Sequence, residues 1–196
     1  MKRIIVIFAA LLIIASPAVS QVTWNVDKNH TEFQFKVKHM GITTVTGRFK
    51  DYDIKFSSNR IDNFSNAKLE TTIRTESIFT DNENRDEHLR SEDFLNVSEH
   101  PEIRFVSKVF RKISGNMYKI VGDLTIKDVT KEVELDGELS GPVKARGSTL
   151  VAFHVTGSIN RFDFGVQFDA LLETGGLVVS DTVNLDFNLE FGIESN

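Results

Sequence analysis

The sequence predicts an all-β protein whose strands close into an antiparallel barrel or sandwich. Phe33, Phe35 and Val37 alternate with polar residues near the start of the chain, and residues 183–191 alternate in the same way near its end. Successive side chains of a strand point to opposite faces, so each run has one apolar face that must be buried. The chain offers no helical crossover of the length that parallel pairing requires. We therefore expect antiparallel pairing throughout.

The first 20 residues have the features of a secretory signal peptide. Two basic residues precede an apolar run over residues 4–14, and Ala18-Val19-Ser20 fits the small-x-small cleavage pattern. The run is shorter than the roughly 20 residues of a membrane-spanning helix. We expect a signal peptide at residues 1–20, one mature domain at residues 21–196, and no stable membrane span after cleavage.

Composition excludes several classes of function. The formal net charge is −5, and removing the two basic residues of the signal segment makes it −7. An acidic chain without basic runs is a poor nucleic-acid binder. No cysteine is present, which excludes disulfides and thiolate metal sites. The five histidines lack the tight spacing of a zinc site, so we expect neither a metal nor a cofactor.

Turn residues divide the mature chain into about eight or nine strands. Residues 24–27 and 31–39 form the first two, and residues 45–56 change parity near Lys50-Asp51, which predicts a bulge. Later strands are marked by apolar residues of one parity: Leu69 and Ile73, Ile103 and Phe105, Leu124 and Ile126, Val133 and Leu135, and Phe153 and Val155.

Glycine-containing pairs separate the later strands. Ser114-Gly115-Asn116 predicts a hairpin turn, whereas the alternation runs straight through Asp136-Gly137, which we assign to a strand. Gly141-Pro142 and Gly147-Ser148 predict a loop, and Gly175-Gly176 precedes the last strand.

One segment departs from the alternation. Residues 81–90 are polar, and Asp81 or Asn82 can cap a short helix, so we expect a short helical insertion at about residues 81–95. A long insertion of this kind is where a regular barrel would keep a lid or a plug. The residues expected to tie it to the barrel are Arg85, Asp86 and His88.

No catalytic constellation stands out, but two residues could contact a ligand head group. His39 shares the parity of Phe33, so it is either a hydrogen-bonded residue of the barrel rim or a polar ligand contact. Arg161 is either the partner of Asp163 in an ion pair or a contact for a phosphate, carboxylate or carbonyl group.

The aromatic composition raises the question of what the interior holds. The chain has 16 phenylalanines but one tryptophan and two tyrosines. Phenylalanine has no polar atom to satisfy and can line a dry cavity. An eight-stranded barrel can be filled by side chains or can hold one small ligand. Composition leaves both alternatives open.

Three blocks of sequence motifs follow one another over about residues 22–193. The first comprises Val26-Asp27, His30, Phe33, Val37-Lys38-His39, Gly41 and Gly47-Arg48-Phe49. The central one comprises Ser77-Ile78, Asn82-Glu83, Arg85-Asp86-Glu87-His88-Leu89, Asp93-Phe94, Pro101 and Phe105. The last comprises Gly122-Asp123-Leu124-Thr125-Ile126, Val129-Thr130-Lys131 and Arg161-Phe162-Asp163-Phe164-Gly165.

Taken in order, these blocks resemble the YceI-like family. The resemblance implies an extended, eight-stranded, lipocalin-like antiparallel β-barrel of a periplasmic or secreted bacterial protein. It implies an apolar tunnel that holds a polyisoprenoid or another long amphiphile, and it allows a homodimer. No enzyme activity is established for the family as a whole.

We therefore expect a binding protein that carries or stores a long-chain isoprenoid or fatty amphiphile. The residues expected from their parity to line the tunnel are Phe33, Phe35, Val37, Leu69, Ile73, Phe105, Leu124, Ile126, Phe153, Val155, Leu185 and Phe187. One alternative is an enzyme acting on an isoprenoid-like substrate, using His88 or His39 with a neighbouring acid. The other is an interaction module with a filled core and an exposed apolar patch.

Overall fold

A computed structural model describes residues 21–145 and 147–194 of the chain. The expected signal peptide lies outside these residues. The strands are β1 (Val22–Val26), β2 (Glu32–His39), β3 (Thr43–Phe49), β4 (Tyr52–Ser58), β5 (Lys68–Arg74), β6 (Ile78–Phe79), β7 (Glu102–Ser114), β8 (Met117–Ile126), β9 (Val129–Ala145), β10 (Ser148–Asn160) and β11 (Val179–Glu194). One α-helix, α1 (Glu83–Arg90), and two 3₁₀ turns, Thr75–Ser77 and Arg161–Phe164, complete the described elements.

The strands form a closed antiparallel barrel with eight positions. Strands β5, β7, β8, β9, β10 and β11 occupy six of them in sequence order. The short strands β1 and β2 together make the seventh position, because β11 pairs with both of them. The eighth consists of β3, which pairs with β2, and β4, which pairs with β1 and β5. This arrangement confirms the predicted eight-stranded antiparallel barrel.

Two turn predictions need correction. The parity change at Lys50-Asp51 is a complete break between β3 and β4, which lets the chain change its pairing partner from β2 to β1. The irregular backbone is satisfied nearby: Lys50 N donates to Ser77 O at 3.2 Å. Gly141-Pro142 is not a loop but an irregularity inside β9, between Val143, which pairs with Leu150 of β10, and Ser140, which pairs with Ala152. A side chain at Gly141 would meet the Leu150 carbonyl oxygen at 2.9 Å, and its φ of 99° also favours glycine.

The helical insertion follows the sequence prediction. Asn82 is the N-cap of α1, and its side-chain oxygen accepts a hydrogen bond from Arg85 N at 3.0 Å. Turns continue after the helix as far as residue 99, and β7 begins just beyond Pro101. The hairpin turn after Ser114 and the uninterrupted strand through Gly137 were also predicted correctly.

Aromatic side chains fill one half of the barrel. The ring centroids of Phe56 and Phe191 lie 4.5 Å apart, and those of Phe110 and Phe153 lie 5.3 Å apart. Phe64, from the loop between β4 and β5, is fully buried against Phe153 at 5.4 Å. We call this group the aromatic cluster; its members are Trp24, Phe56, Phe64, Phe110, Tyr118, Phe153 and Phe191. It leaves the other half of the barrel for the site described next.

Candidate ligand-binding site

The half of the barrel beyond the aromatic cluster contains a cavity of about 530 Å³. Inward-facing side chains of β2, β3, β5, β7, β8, β9, β10 and β11 form its wall. On β10 the lining residues are Val155 and Ile159, whereas Val151 and Phe153 lie outside the cavity. The boundary between cavity and packed interior therefore falls part-way along a single strand. The volume lies in the roughly 300–1,000 Å³ range of ligand pockets in proteins.

Most of the residues expected to line a tunnel border the cavity. All of them border it except Phe153: they are Phe33, Phe35, Val37, Leu69, Ile73, Phe105, Leu124, Ile126, Val155, Leu185 and Phe187. Phe153 belongs to the aromatic cluster, where its ring contacts those of Phe56 and Tyr118 at 5.7 and 5.8 Å. Parity assigned Phe153 to the inner face correctly, but it carries no information about depth along the barrel.

Residues outside the regular strands complete the cavity wall. Leu89, Phe94 and Leu95 come from the helical insertion, and Phe168 comes from the segment between β10 and β11. The rings of Phe94 and Phe168 stack with centroids 4.6 Å apart. Sequence reasoning missed these wall residues. A usable signal existed for the insertion, because Leu89, Phe94 and Leu95 are large apolar residues in an otherwise polar segment.

A buried carboxylate fastens the insertion to the barrel. Asp86 is 1 % exposed, and it accepts hydrogen bonds from Thr80 N at 2.8 Å and from Thr80 Oγ1 at 2.5 Å. Arg85 donates from Nε to Thr80 Oγ1 at 2.7 Å and from Nη2 to Thr80 O at 2.6 Å. Both Asp86 and Arg85 are thus hydrogen-bonded to Thr80, which directly follows β6. This network sets the position of α1 at the end of the cavity.

His88 lies at the edge of the same end. Its Nε2 is 3.0 Å from Asp93 Oδ2. Its ring is nearly perpendicular to the rings of Phe94 and Phe168, with centroids 5.0 and 5.3 Å away. His88 borders the cavity and is exposed on its other side. It therefore links the insertion to the segment that carries Phe168.

Arg161 borders the cavity, but its guanidinium is committed to the backbone. The side chain is 5 % exposed and donates four hydrogen bonds, at 2.6 to 3.0 Å, to carbonyl oxygens. The four acceptors are Val166, Phe168, Val179 and Ser180. Burial lowers the pKa of Arg161, while the charges of Asp181 and Asp169 act in the opposite direction.

The expected ion pair between Arg161 and Asp163 is absent from the described residues. Asp163 instead lies 3.6 Å from the ammonium group of Lys131. The reason is the 3₁₀ turn Arg161–Phe164, within which Arg161 is buried while Asp163 remains exposed to solvent. Arg161 holds the segment between β10 and β11 in place, and a ligand head group would have to compete with its carbonyl partners.

His39 lies at the end of β2 and borders the cavity together with its neighbour Lys38. Within the part of the chain that the structure describes, neither side chain has a hydrogen-bond or ion-pair partner. His39, unlike Arg161, therefore has ring nitrogens available at the cavity rim, whereas the Lys38 side chain is exposed on the outer face of β2, as that of Lys36 is.

A group of possible metal ligands lies outside the cavity. His30 Nδ1 is 2.9 Å from Asp27 Oδ2 and 3.8 Å from Glu190 Oε1. The hydrogen bond between His30 and Asp27 raises the pKa of His30 and lowers that of Asp27. The side chain of His30 is 65 % exposed, and an ordinary surface ion pair accounts for the geometry.

Among the described residues, no helix has the length and apolar character needed to cross a membrane.

Comparison with known proteins identifies the family. The model of the YceI-like domain matches residues 24–191. The chain belongs to the YceI-like family. Among its relatives, a UPF0312 protein of Staphylococcus epidermidis is 38 % identical over 174 residues, which cover 88 % of this chain and 98 % of that protein. A UPF0312 protein of Staphylococcus aureus is 39 % identical over 169 residues, covering 85 % and 95 %.

Solved YceI-like structures share the barrel. The Campylobacter jejuni YceI protein is 33 % identical with a TM-score of 0.69, covering 82 % of this chain and 91 % of that one. BcnA of Burkholderia cenocepacia superposes with a TM-score of 0.73 at 21 % identity, covering 85 % and 99 %. A polyisoprenoid binding domain from Saccharophagus degradans superposes with a TM-score of 0.61 at 13 % identity, covering 90 % and 100 %. None of these relatives carries an enzyme's name.

Proposed function

We propose that this YceI-like protein holds a polyisoprenoid or a similar long-chain amphiphile in its cavity, for carriage or storage outside the cytoplasm. The observation that carries the proposal is the abrupt change along the barrel interior from the aromatic cluster to an apolar cavity of about 530 Å³. An empty apolar space of this size forfeits contacts that a filled core would make. An apolar chain would restore them.

The chemistry of the wall suits a hydrocarbon chain. Side chains such as Leu124, Val155 and Leu185 present no hydrogen-bonding groups, and they lie on different strands around the cavity. Transfer of each methylene from water to such a wall contributes about 0.8 kcal/mol. About ten methylenes therefore give several kcal/mol after the cost of ordering the chain. Affinity for a long chain requires a cavity of suitable shape with an apolar wall, and it does not require a catalytic group.

The Saccharophagus degradans domain supports the choice of ligand class, because it shares the barrel and is a polyisoprenoid binding domain. The features of residues 1–20 support export to the periplasm or beyond. A chain without cysteine is compatible with either location, since its stability comes from the barrel ladder and apolar burial.

Native mass spectrometry of protein purified without detergent from bacterial cells tests the proposal. We expect a co-purified hydrophobic molecule of defined mass that organic solvent extracts. The same spectra report the mature N-terminus, which we expect near Gln21, and any homodimer. Repeated recovery of compact, ligand-free protein that also fails to take up added prenyl or acyl chains would refute the proposal.

A further inference from the structure

The two most exposed large apolar side chains of the described residues lie at the end of the barrel opposite the aromatic cluster. Ile42 is 78 % exposed and Leu171 is 65 % exposed, and Met40, at 42 %, belongs to the same region. Met40 and Ile42 lie in the turn between β2 and β3, and Leu171 lies in the segment between β10 and β11. We call these three residues the apolar tips.

Backbone hydrogen bonds place the apolar tips on neighbouring segments at the rim of the cavity. Met40 N donates to Val178 O at 2.8 Å, and Val178 N donates to Ala170 O at 2.9 Å. Leu171 directly follows Ala170. Val178 borders the cavity, as does His39, which precedes Met40. The apolar tips therefore project into solvent beside the residues that surround the cavity.

The backbone at Met40 is unfavourable for methionine. Met40 and Gly41 have φ values of 52° and 71°, and Ile42 N donates to His39 O at 3.1 Å. Two successive positive φ values are characteristic of a type I′ turn, which favours asparagine and glycine. A methionine in the left-handed region is uncommon. A strained position that carries an exposed apolar side chain indicates that the side chain itself has a function.

The size of the apolar tips favours a lipid surface over a protein partner. A stable protein–protein interface buries about 800 Å² and roughly 20–30 residues on each partner. Three side chains on two turns supply far less than that. The interface of a bilayer, in contrast, accepts a small number of large apolar side chains and retains the protein reversibly.

The charge around the apolar tips selects the class of lipid. Residues 40–46 and 166–178 contain no lysine or arginine. Asp169 and Glu173 are exposed on either side of Leu171, and the exposed Lys38 balances only one of these two charges. An anionic bilayer would repel such a surface, whereas a zwitterionic bilayer would not.

We propose that the apolar tips dock this protein reversibly on the surface of a zwitterionic lipid bilayer, with the rim of the cavity facing the membrane. This inference goes beyond the proposed function, which supplies a reason for such a surface, because a long-chain amphiphile has to be taken from a membrane or delivered to one. Docking itself needs no bound amphiphile. We expect an association about as weak as that of a single myristoyl chain, about 10⁴ M⁻¹, which allows the protein to leave the membrane again.

Co-sedimentation of the purified protein with phosphatidylcholine vesicles tests the docking. Ile42→Ser should weaken binding about tenfold, because it removes a large apolar side chain from the bilayer. Ile113→Ser is the matched control: Ile113 is 54 % exposed and lies on β7, the strand of Phe110 in the aromatic cluster. This control should bind as the parent does. Mixing phosphatidylglycerol into the vesicles should weaken binding of the parent at low salt.

Met40→Asn separates docking from folding. Asparagine suits the left-handed backbone better than methionine does, so this variant should unfold at a higher urea concentration than the parent. It should nevertheless bind phosphatidylcholine vesicles about threefold more weakly, because it lacks one of the apolar tips. Loss of binding in a more stable protein cannot come from damage to the fold.

Parent protein that remains in the supernatant with both kinds of vesicle would overturn the inference. Equal loss of binding in Ile42→Ser and Ile113→Ser would also overturn it, since general surface hydrophobicity would then explain the association. A dimer that Ile42→Ser dissociates in the absence of vesicles would overturn it as well, because a second copy would then cover the apolar tips. Each of these results leaves the proposed function intact, because native mass spectrometry tests the bound amphiphile without any membrane.

Discussion

The two halves of the barrel interior are built from the same strands and the same alternation, yet only one of them is filled. In the packed half, Phe56 contacts five neighbouring rings, and Phe64 enters from a loop to occupy the space between opposite walls. In the hollow half, Phe33, Phe35 and Phe187 line the wall of the cavity. The interior of a barrel with eight positions can be filled by side chains or can hold one small ligand, and here Phe64 adds to the filling of only one half.

This difference separates two uses of one residue type. Phenylalanine in the packed half is surrounded by other rings. In the hollow half, Phe33 packs against Tyr52 and Phe187 on one side and borders the cavity on the other, where it presents a dry surface. Stability and binding are therefore assigned to different ends of the same strands. Substitutions of the same kind at the two ends should therefore differ in how much they change stability and ligand affinity.

Truncation of a ring should distinguish the halves most strongly. Phe56 is 2 % exposed, so Phe56→Ala should lower the free energy of unfolding by about 3–5 kcal/mol. Phe187→Ala should cost roughly half as much in delipidated protein, because the Phe187 ring already borders empty space. Urea unfolding measures both, and Phe56→Leu keeps the comparison possible if the alanine variant does not fold. Equal losses at the two positions would contradict the division.

Enlarging a side chain tests the same division in the other direction. Val151 and Val155 lie on the same face of β10 and are 2 % and 1 % exposed, but only Val155 borders the cavity. Val151→Phe should overpack the filled half and cost about 1–3 kcal/mol. Val155→Phe should place its ring in the cavity, cost little stability and weaken the binding of a long chain by about tenfold.

Urea unfolding and ligand titration, carried out on both valine variants, decide this prediction. A Val155→Phe protein that binds as tightly as the parent would show that the chain lies elsewhere.

Release of the insertion should affect only the hollow end. Asp86→Ala leaves the Thr80 N–H without its buried acceptor, which costs about 1–3 kcal/mol. Hydrogen exchange should accelerate over residues 80–95 and remain unchanged in the strands around the aromatic cluster. Glu87→Ala, at an exposed neighbouring position on α1, is the control and should alter neither quantity. Uniform acceleration throughout the barrel would indicate that the insertion supports the whole fold.

The smallest expected effect is a pH-dependent contribution to stability from the ion pairs of Asp186 on the outer wall of the barrel. Lys36 and, to a lesser extent, His154 lower the pKa of Asp186 in the folded protein. The corresponding stabilisation is present above the unfolded pKa of aspartate and is lost as the pH falls through the folded pKa. Since Lys36 and His154 are 39 % and 47 % exposed, we expect less than about 1 kcal/mol.

Comparison of Asp186→Asn with the parent protein, by unfolding across the acidic range, measures this term. The variant should lack this part of the acid sensitivity and should bind ligand as the parent does. An altered ligand affinity would mean that the outer wall and the cavity are coupled.

The sequence predicted the class of fold, the barrel and the helical insertion because period-two alternation and helix capping are local properties. It could not distinguish Phe153 from Val155, since both share the inward face and only the filling of the barrel separates them. The hydrogen-bond partners of Arg161 could not be predicted either, because they are backbone carbonyls of a segment whose sequence shows no periodic pattern. The burial of Phe64 depends on the path of a loop, which local residue patterns do not specify.

The most direct test of a filled half and a hollow half is an NMR titration of delipidated protein, with isotope-labelled methyl groups, against geranylgeraniol. The account predicts intermolecular contacts from the prenyl chain to the methyl groups of Leu124, Val155 and Leu185, and none to those of Val151. Contacts confined to exposed methyl groups such as those of Ile113 and Val143, with none to the cavity wall at saturation, would contradict it.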